Sequence, residues 1–213
     1  MAVKKFKSLG RSFGWGFLLA SVAAALLGLL GAAPAMAHPH VFVDNSVIFV
    51  FDGSDLAGVR VHWVFDDMFG TMIREDFDAD GDGTFSEAEI QAVKVGAFDN
   101  LRNFDYFTFI EVDGKSSRVQ QVEGFRAGFC EDKLFYDFFV PCRVSGAGGR
   151  HRVLLSLHDP EYYADVYTPE DAVPGMENAA GVEAQVSVFL NSERTYSTFQ
   201  VWTPEITLTF GAR

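Results

Sequence analysis

From His40 onward, apolar and polar positions mostly alternate over short runs, the period of a half-buried β-strand. Runs rich in Val, Ile and Phe cover 40–51 and 59–65 and are split by the turn pair Asp52-Gly53. A third run, 106–112, turns at Asp113-Gly114 into 117–122. Segments 134–144 and 152–157 flank the glycine-rich stretch from Ser145 to Gly149, a hairpin pattern. Runs 182–190 and 199–210 complete the set, and 162–180 is expected to be a long surface loop with a short helical piece. Short strands with turn signals at this density predict a mainly β, β-sandwich-like domain.

The period changes between 66 and 104, which is expected to be a helical insert and makes the chain α+β overall. Phe65, Met68, Phe69, Met72, Ile73 and Phe77 recur at helical spacing, although Gly70 interrupts them. Ile90, Val93, Ala97, Phe98 and Leu101 mark one face of a second helix. Between the two lies Asp78-Ala79-Asp80-Gly81-Asp82-Gly83-Thr84-Phe85-Ser86-Glu87-Ala88-Glu89, which fills every position of an EF-hand calcium loop. Ca²⁺ takes roughly six to eight oxygen ligands. Asp78, Asp80 and Asp82 would supply carboxylates, Thr84 its carbonyl, Ser86 a water-bridged contact and Glu89 two oxygens, with Gly83 at the sharp turn. Ser86 and Glu89 also form a capping-box pattern for the second helix. A solvated acidic turn is the plainer alternative, since Asp-Gly pairs favour turns. All coordinating positions standing in register favours calcium. No second loop accompanies this one, so a structural ion fits better than a sensor.

Residues 1–37 read as a cleaved export signal. Lys4, Lys5, Lys7 and Arg11 precede an apolar core from Phe17 to Leu30, and Ala35-Met36-Ala37 offers small residues for cleavage. The expected mature domain, 38–213, contains no apolar run long enough to span a bilayer and belongs in the periplasm. Removing 1–37 takes the formal charge from −12 to −16, because that segment holds four basic and no acidic residues. Nucleic acid and anionic lipid are poor partners for such a charge, and divalent cations are good ones. Cys130 and Cys142 are the only cysteines. An even count in an exported chain predicts a disulfide, with free or metal-binding thiols as the alternative.

Cleavage after Ala37 would expose the amine of His38, followed by Pro39 and His40. Imidazole and amine nitrogens suit Zn, Ni, Co and Cu. Pro39 lacks an N–H, which excludes a square-planar site built on deprotonated amides. A bidentate or brace-like site remains, to be completed by His62, His151, His158 or a carboxylate. Each of those three histidines also has a plain structural role open to it. Asp66-Asp67 suggests paired carboxylates for acid–base work, but adjacent residues on a helix point apart. Acidic residues at a helix N-terminus are the simpler explanation, and no enzyme is expected.

Several blocks resemble an uncharacterised bacterial periplasmic family labelled the periplasmic component of an ABC-type transport system. They are His38 to Asp44, Trp63 to Phe69, Asp78 to Glu89, Ala97 to Leu101 and Asp159-Pro160-Glu161-Tyr162-Tyr163. Members of that family tend to be encoded beside nickel/cobalt-efflux-type permeases, and some are linked with zinc handling. The resemblance implies an exported calcium-binding accessory that holds a divalent transition metal for an inner-membrane permease. The competing expectation is a calcium-stabilised sandwich that binds a protein or glycan.

Overall fold

The computed structural model describes residues 39–169, 173–191 and 202–213. The expected export signal and His38 lie outside the described residues. β1 (Val41–Asp52) and β2 (Asp55–Phe65) form an antiparallel hairpin in which Val43 faces Phe65 and Asp52 faces Asp55. Alternation buries Val41, Val43, Val47, Phe49 and Phe51 on β1, because successive strand side chains point to opposite faces. Asn45 is the polar exception on that buried face. It accepts from the Trp63 indole at 3.1 Å and donates to Thr168 at 2.9 Å, so neither polar atom is stranded.

Two further strands extend the hairpin on the β2 side: β6 (Lys133–Val144) beside β2, and β5 (Glu123–Cys130) beyond it. On the other side, β8 (Ala164–Tyr167) and β9 (Gly175–Glu177) run parallel to β1. A second, five-stranded sheet is ordered β10 (Val182–Leu190), β11 (Pro204–Ala212), β7 (His151–Leu157), β3 (Thr108–Val112), β4 (Lys115–Ser117). Both sheets feed one buried apolar cluster, and the Phe51 and Phe210 rings meet edge-on across it at 5.4 Å. The chain is mainly β, as its alternation predicts, with a smaller helical part.

Several boundaries differ from expectation. β5 falls where no strand was read, because Glu123–Cys130 is a half-exposed edge without a clear apolar alternation. β8 and β9 lie inside the expected surface loop; each is short and paired only through β1. The third run begins at Thr108 instead of 106, since Asp105, Tyr106 and Phe107 take left-handed backbone angles (φ 54°, 51° and 52°). The fourth stops at Ser117. Beyond it, the Val119 N–H is given to the Asp105 carboxylate at 2.8 Å, and Arg118 binds the same oxygen at 2.7 Å.

The expected disulfide is not formed, and both thiols are free. Cys130 pairs with Lys133 at the first residue of β6, whereas Cys142 lies near the far end of that strand. At the rise of a β-strand this separates them by about 30 Å. A bridge needs Cα atoms within about 7 Å.

Candidate functional site

Two helices leave the six-stranded sheet directly after β2. Helix α1 (Asp67–Phe77) is capped by Asp66, whose Oδ1 accepts from the N–H groups of Met68 and Phe69 at 2.9 and 3.0 Å. The other oxygen of Asp66 accepts from the Phe42 N–H at 2.7 Å and ties the helix start to β1. Asp66 is thus a cap, and Asp67 pairs with Lys133 at 2.6 Å. Gly70, which weakens the helical pattern, is buried within van der Waals reach of Leu134 on β6. Helix α2 (Glu87–Val93) begins with the expected capping box between Ser86 and Glu89. A π-helical turn (Lys94–Phe98) and 3₁₀ winding from Asp99, broken by a kink at Phe104 to Tyr106, follow, and Phe98 is fully buried against Phe125, Tyr136 and Phe138.

Residues 78–86 connect the helices. Gly81 and Gly83 adopt φ of 70° and 84°, which a residue with a Cβ resists. Asp78 accepts from the N–H groups of Gly81 and Gly83, both at 2.9 Å. Asp82 accepts from the N–H and the hydroxyl of Thr84, both at 2.8 Å. Carboxylate oxygens of Asp78, Asp80 and Asp82 all lie within 4.8 Å of one another. Two ligands of one Ca²⁺ can be at most about 5 Å apart, so this spacing fits a shared ion of that size. Glu89 is not among the three converging carboxylates. Its oxygens accept from the Ala79 N–H at 2.7 Å and the Ser86 N–H at 2.8 Å, which pins both ends of the loop. Bonds from the Ser86 backbone, the Ser86 hydroxyl and the Ala79 backbone hold this carboxyl below its usual range. Phe85 turns away from the aspartates and packs on Phe129 at 5.0 Å, and Arg74 caps the Phe129 ring at 4.1 Å.

The four described histidines do not form a cluster of metal-type side chains. His40 is exposed at the start of β1, with its ring 5.0 Å from Tyr163 and its N–H on the Tyr163 carbonyl. His62 stands on β2, where its Nδ1 meets Asp137 at 2.7 Å. His151 opens β7, and its bond to Asp113 at 2.8 Å raises its pKa. His158 stacks on Phe109 at 4.1 Å, and burial lowers its pKa to about 4. Among the described residues, the three aspartates are the one cluster of three or more metal-type side chains. No described helix is long and apolar enough to cross a membrane. Asp137 and Asp113, which orient two of the histidines, carry no sequence signal, since each lies far along the chain from its partner.

Residues 23–192 match the family described as "Protein of unknown function (DUF1007)", and the chain belongs to that family. It is 24% identical over 126 residues to the "Uncharacterized 15.5 kDa protein in trpE 3'region" of Spirochaeta aurantia, covering 59% of this chain and 89% of that one. It is also 24% identical over 152 residues to an "Uncharacterized protein" of Haemophilus influenzae, covering 70% of this chain and 71% of the other.

Proposed function

We propose that this member of the DUF1007 family is an exported calcium-binding protein whose loop 78–89 is an EF-hand, and that it holds a divalent transition metal for a membrane permease. The observation that supports the calcium half is the convergence of Asp78, Asp80 and Asp82 within the span of one ion. Repulsion among three carboxylates this close is relieved when a cation sits between them. Glu89, whose oxygens hold the Ala79 and Ser86 N–H groups, and the Thr84 and Ser86 oxygens would have to turn to the ion to complete the donor set. The ion's work is structural: it fixes the loop while α1 and α2 stay packed on a β-sandwich. The transition-metal half is carried by the chemistry of a freed His38 terminus with His40, by the acidic charge, and by the family resemblance. The periplasmic setting and the permease have the same basis.

Calorimetric titration tests both halves. Calcium should bind once per chain and raise the melting temperature. At a free concentration of about one hundred times Kd the gain is about 2.7 kcal/mol. Asp78→Asn with Asp80→Asn should abolish that gain, and the same melting curve with calcium and with chelator would refute it. A chain beginning at His38 should take up Zn²⁺, Ni²⁺, Co²⁺ or Cu²⁺ more tightly than one carrying an extra residue before His38.

A second reading has an observation of its own. Phe42, Tyr163 and Tyr167 are each about half exposed on or beside the neighbouring strands β1 and β8. Exposed aromatics in one area suit a calcium-stabilised module that binds a protein or glycan. Failure of the His38-initiated chain to bind any transition metal in calcium buffer would favour it.

A further inference from the structure

β5 begins only at Glu123, part-way along β6. Pairing of β5 with β6 stops at Glu123 opposite Phe139, so among the described residues Pro141 to Val144 has no strand on its outer side. Facing it, β4 is the outermost strand of the other sheet. Between these two edges lies an open cleft of about 650 Å³, within the range of small-molecule sites.

The cleft has two kinds of wall. Ile110 and Val119, both nearly buried, and the partly buried Val112 and Val144 form an apolar floor that continues the core. Lys115, Arg118, Arg143 and His151 stand around it. The Lys115 side chain makes no hydrogen bond or close ion pair among the described residues, and acts only at longer range on Asp113. Arg118 uses its Nε on Asp105, and Arg143 uses one terminal nitrogen on the exposed Asp52. Each guanidinium carries five N–H donors, so both keep donors to spare. Asp113 is the one carboxylate in the lining, and it is already engaged by the Arg152 N–H at 2.9 Å and by His151. Asp113, Asp105 and Asp52 match the three fixed cations in charge, so what the site offers over its apolar surface is unused N–H donors.

We propose that this cleft binds a small amphipathic organic anion, with a carboxylate or sulfonate taken by Lys115, Arg143 and Arg118 and an apolar body of roughly ten carbons laid on the valine–isoleucine floor. The inference is independent of metal binding, because the lining shares no residue with the calcium loop or the His38 terminus.

Decanoate is a suitable probe, with decanol and sodium sulfate as controls. Titration should show one decanoate per chain, with decanol and sulfate each at least about tenfold weaker, since either control loses one of the two walls. Lys115→Gln with Arg143→Gln should weaken decanoate by about tenfold or more while leaving the calcium response intact. Lys115→Gln alone removes no hydrogen bond or close ion pair, only a longer-range attraction to Asp113, so it reads binding at little risk to the fold. Cys142 lies in the same wall and gives an independent readout. In a Cys130→Ser background, decanoate should slow labelling of Cys142 by an uncharged maleimide in proportion to occupancy. Equal decanoate affinity in the wild type and both variants would overturn the proposal. So would decanol binding as tightly as decanoate, or Cys142 labelling unchanged at saturation.

Discussion

The loop between α1 and α2 and the sheets around it are held together in opposite ways. Every side-chain hydrogen bond within the loop joins residues two to ten positions apart, from Asp82 with Thr84 to Ala79 with Glu89. In the six-stranded sheet the corresponding bonds span from 11 positions, Arg126 to Asp137, up to 75 for His62 with Asp137 and 123 for Asn45 with Thr168. The difference is physical. A loop whose partners are local closes at small entropic cost and can reorganise by itself. A sheet whose partners are distant gains its contacts only when the whole domain assembles. Calcium should therefore act on the loop and its two helices, while the sheets supply a cooperative platform that gains little from it directly.

Breaking the platform should give the largest effect. Trp63 is 1% exposed, packs edge-on against Phe138 at 4.9 Å and donates to Asn45. Trp63→Ala should cost about 3–5 kcal/mol in denaturant unfolding and leave Asn45 short of a partner. Under conditions where the variant stays folded, its calcium Kd should stay within about threefold of the wild type, because loop and platform are separate. A matching collapse of calcium affinity would show that the two regions are not separable.

Acid should distinguish the regions next. His158 is held neutral in the folded sheet down to about pH 4, against an ordinary value of 6.5. Its folded pKa is the lower one, so the unfolded chain binds the extra proton first as pH falls. The contribution is complete above pH 6.5, declines below it, and is gone once pH has passed through about 4. The loss is on the order of 3 kcal/mol. Glu89 in the loop also has a depressed pKa, but its contribution is present above the ordinary glutamate value of 4.5 and fades only below it. From pH 7 to 4.5 His158 should therefore lower stability. His151 contributes in the opposite sense, because its raised pKa adds stability as pH falls. His158→Gln should remove the downward part of the slope. An unchanged slope in the variant would remove His158 from the account.

The smallest effect isolates the loop. Ser86 joins α2 to the loop through the capping box, with its hydroxyl bonded to Glu89 at 2.7 Å. Ser86→Ala should cost about 1 kcal/mol and weaken calcium binding, while leaving the pH 7 to 4.5 slope untouched. Thermal melts with and without chelator would read both effects, and a shift confined to the slope would contradict the separation.

What could be read from residues alone follows the same division. The loop from Asp78 to Glu89, its glycine turn and its capping box were legible because each partner lies within a few residues and each backbone demand belongs to one residue type. The strands of the central hairpin were legible through their period of two, since one face is buried and the other is wet. Only the tertiary structure decided the rest. β5 is an edge with little periodicity to announce it, and β8 and β9 exist because β1 offers them a ladder. The Tyr106 start of a strand was lost to a left-handed bend that the Asp105 carboxylate supports through Val119. Cys130 and Cys142 stand close in sequence, yet Cys130 closes β5 beside the first residue of β6, and the extended run of β6 carries Cys142 to its far end. His62 and His151 gained carboxylate partners that spacing could not name. The cleft beside Lys115 and Arg143 arises where two sheet edges from distant parts of the chain fail to meet. Local chemistry is written residue by residue, whereas register and sheet edges depend on contacts between distant segments that form together.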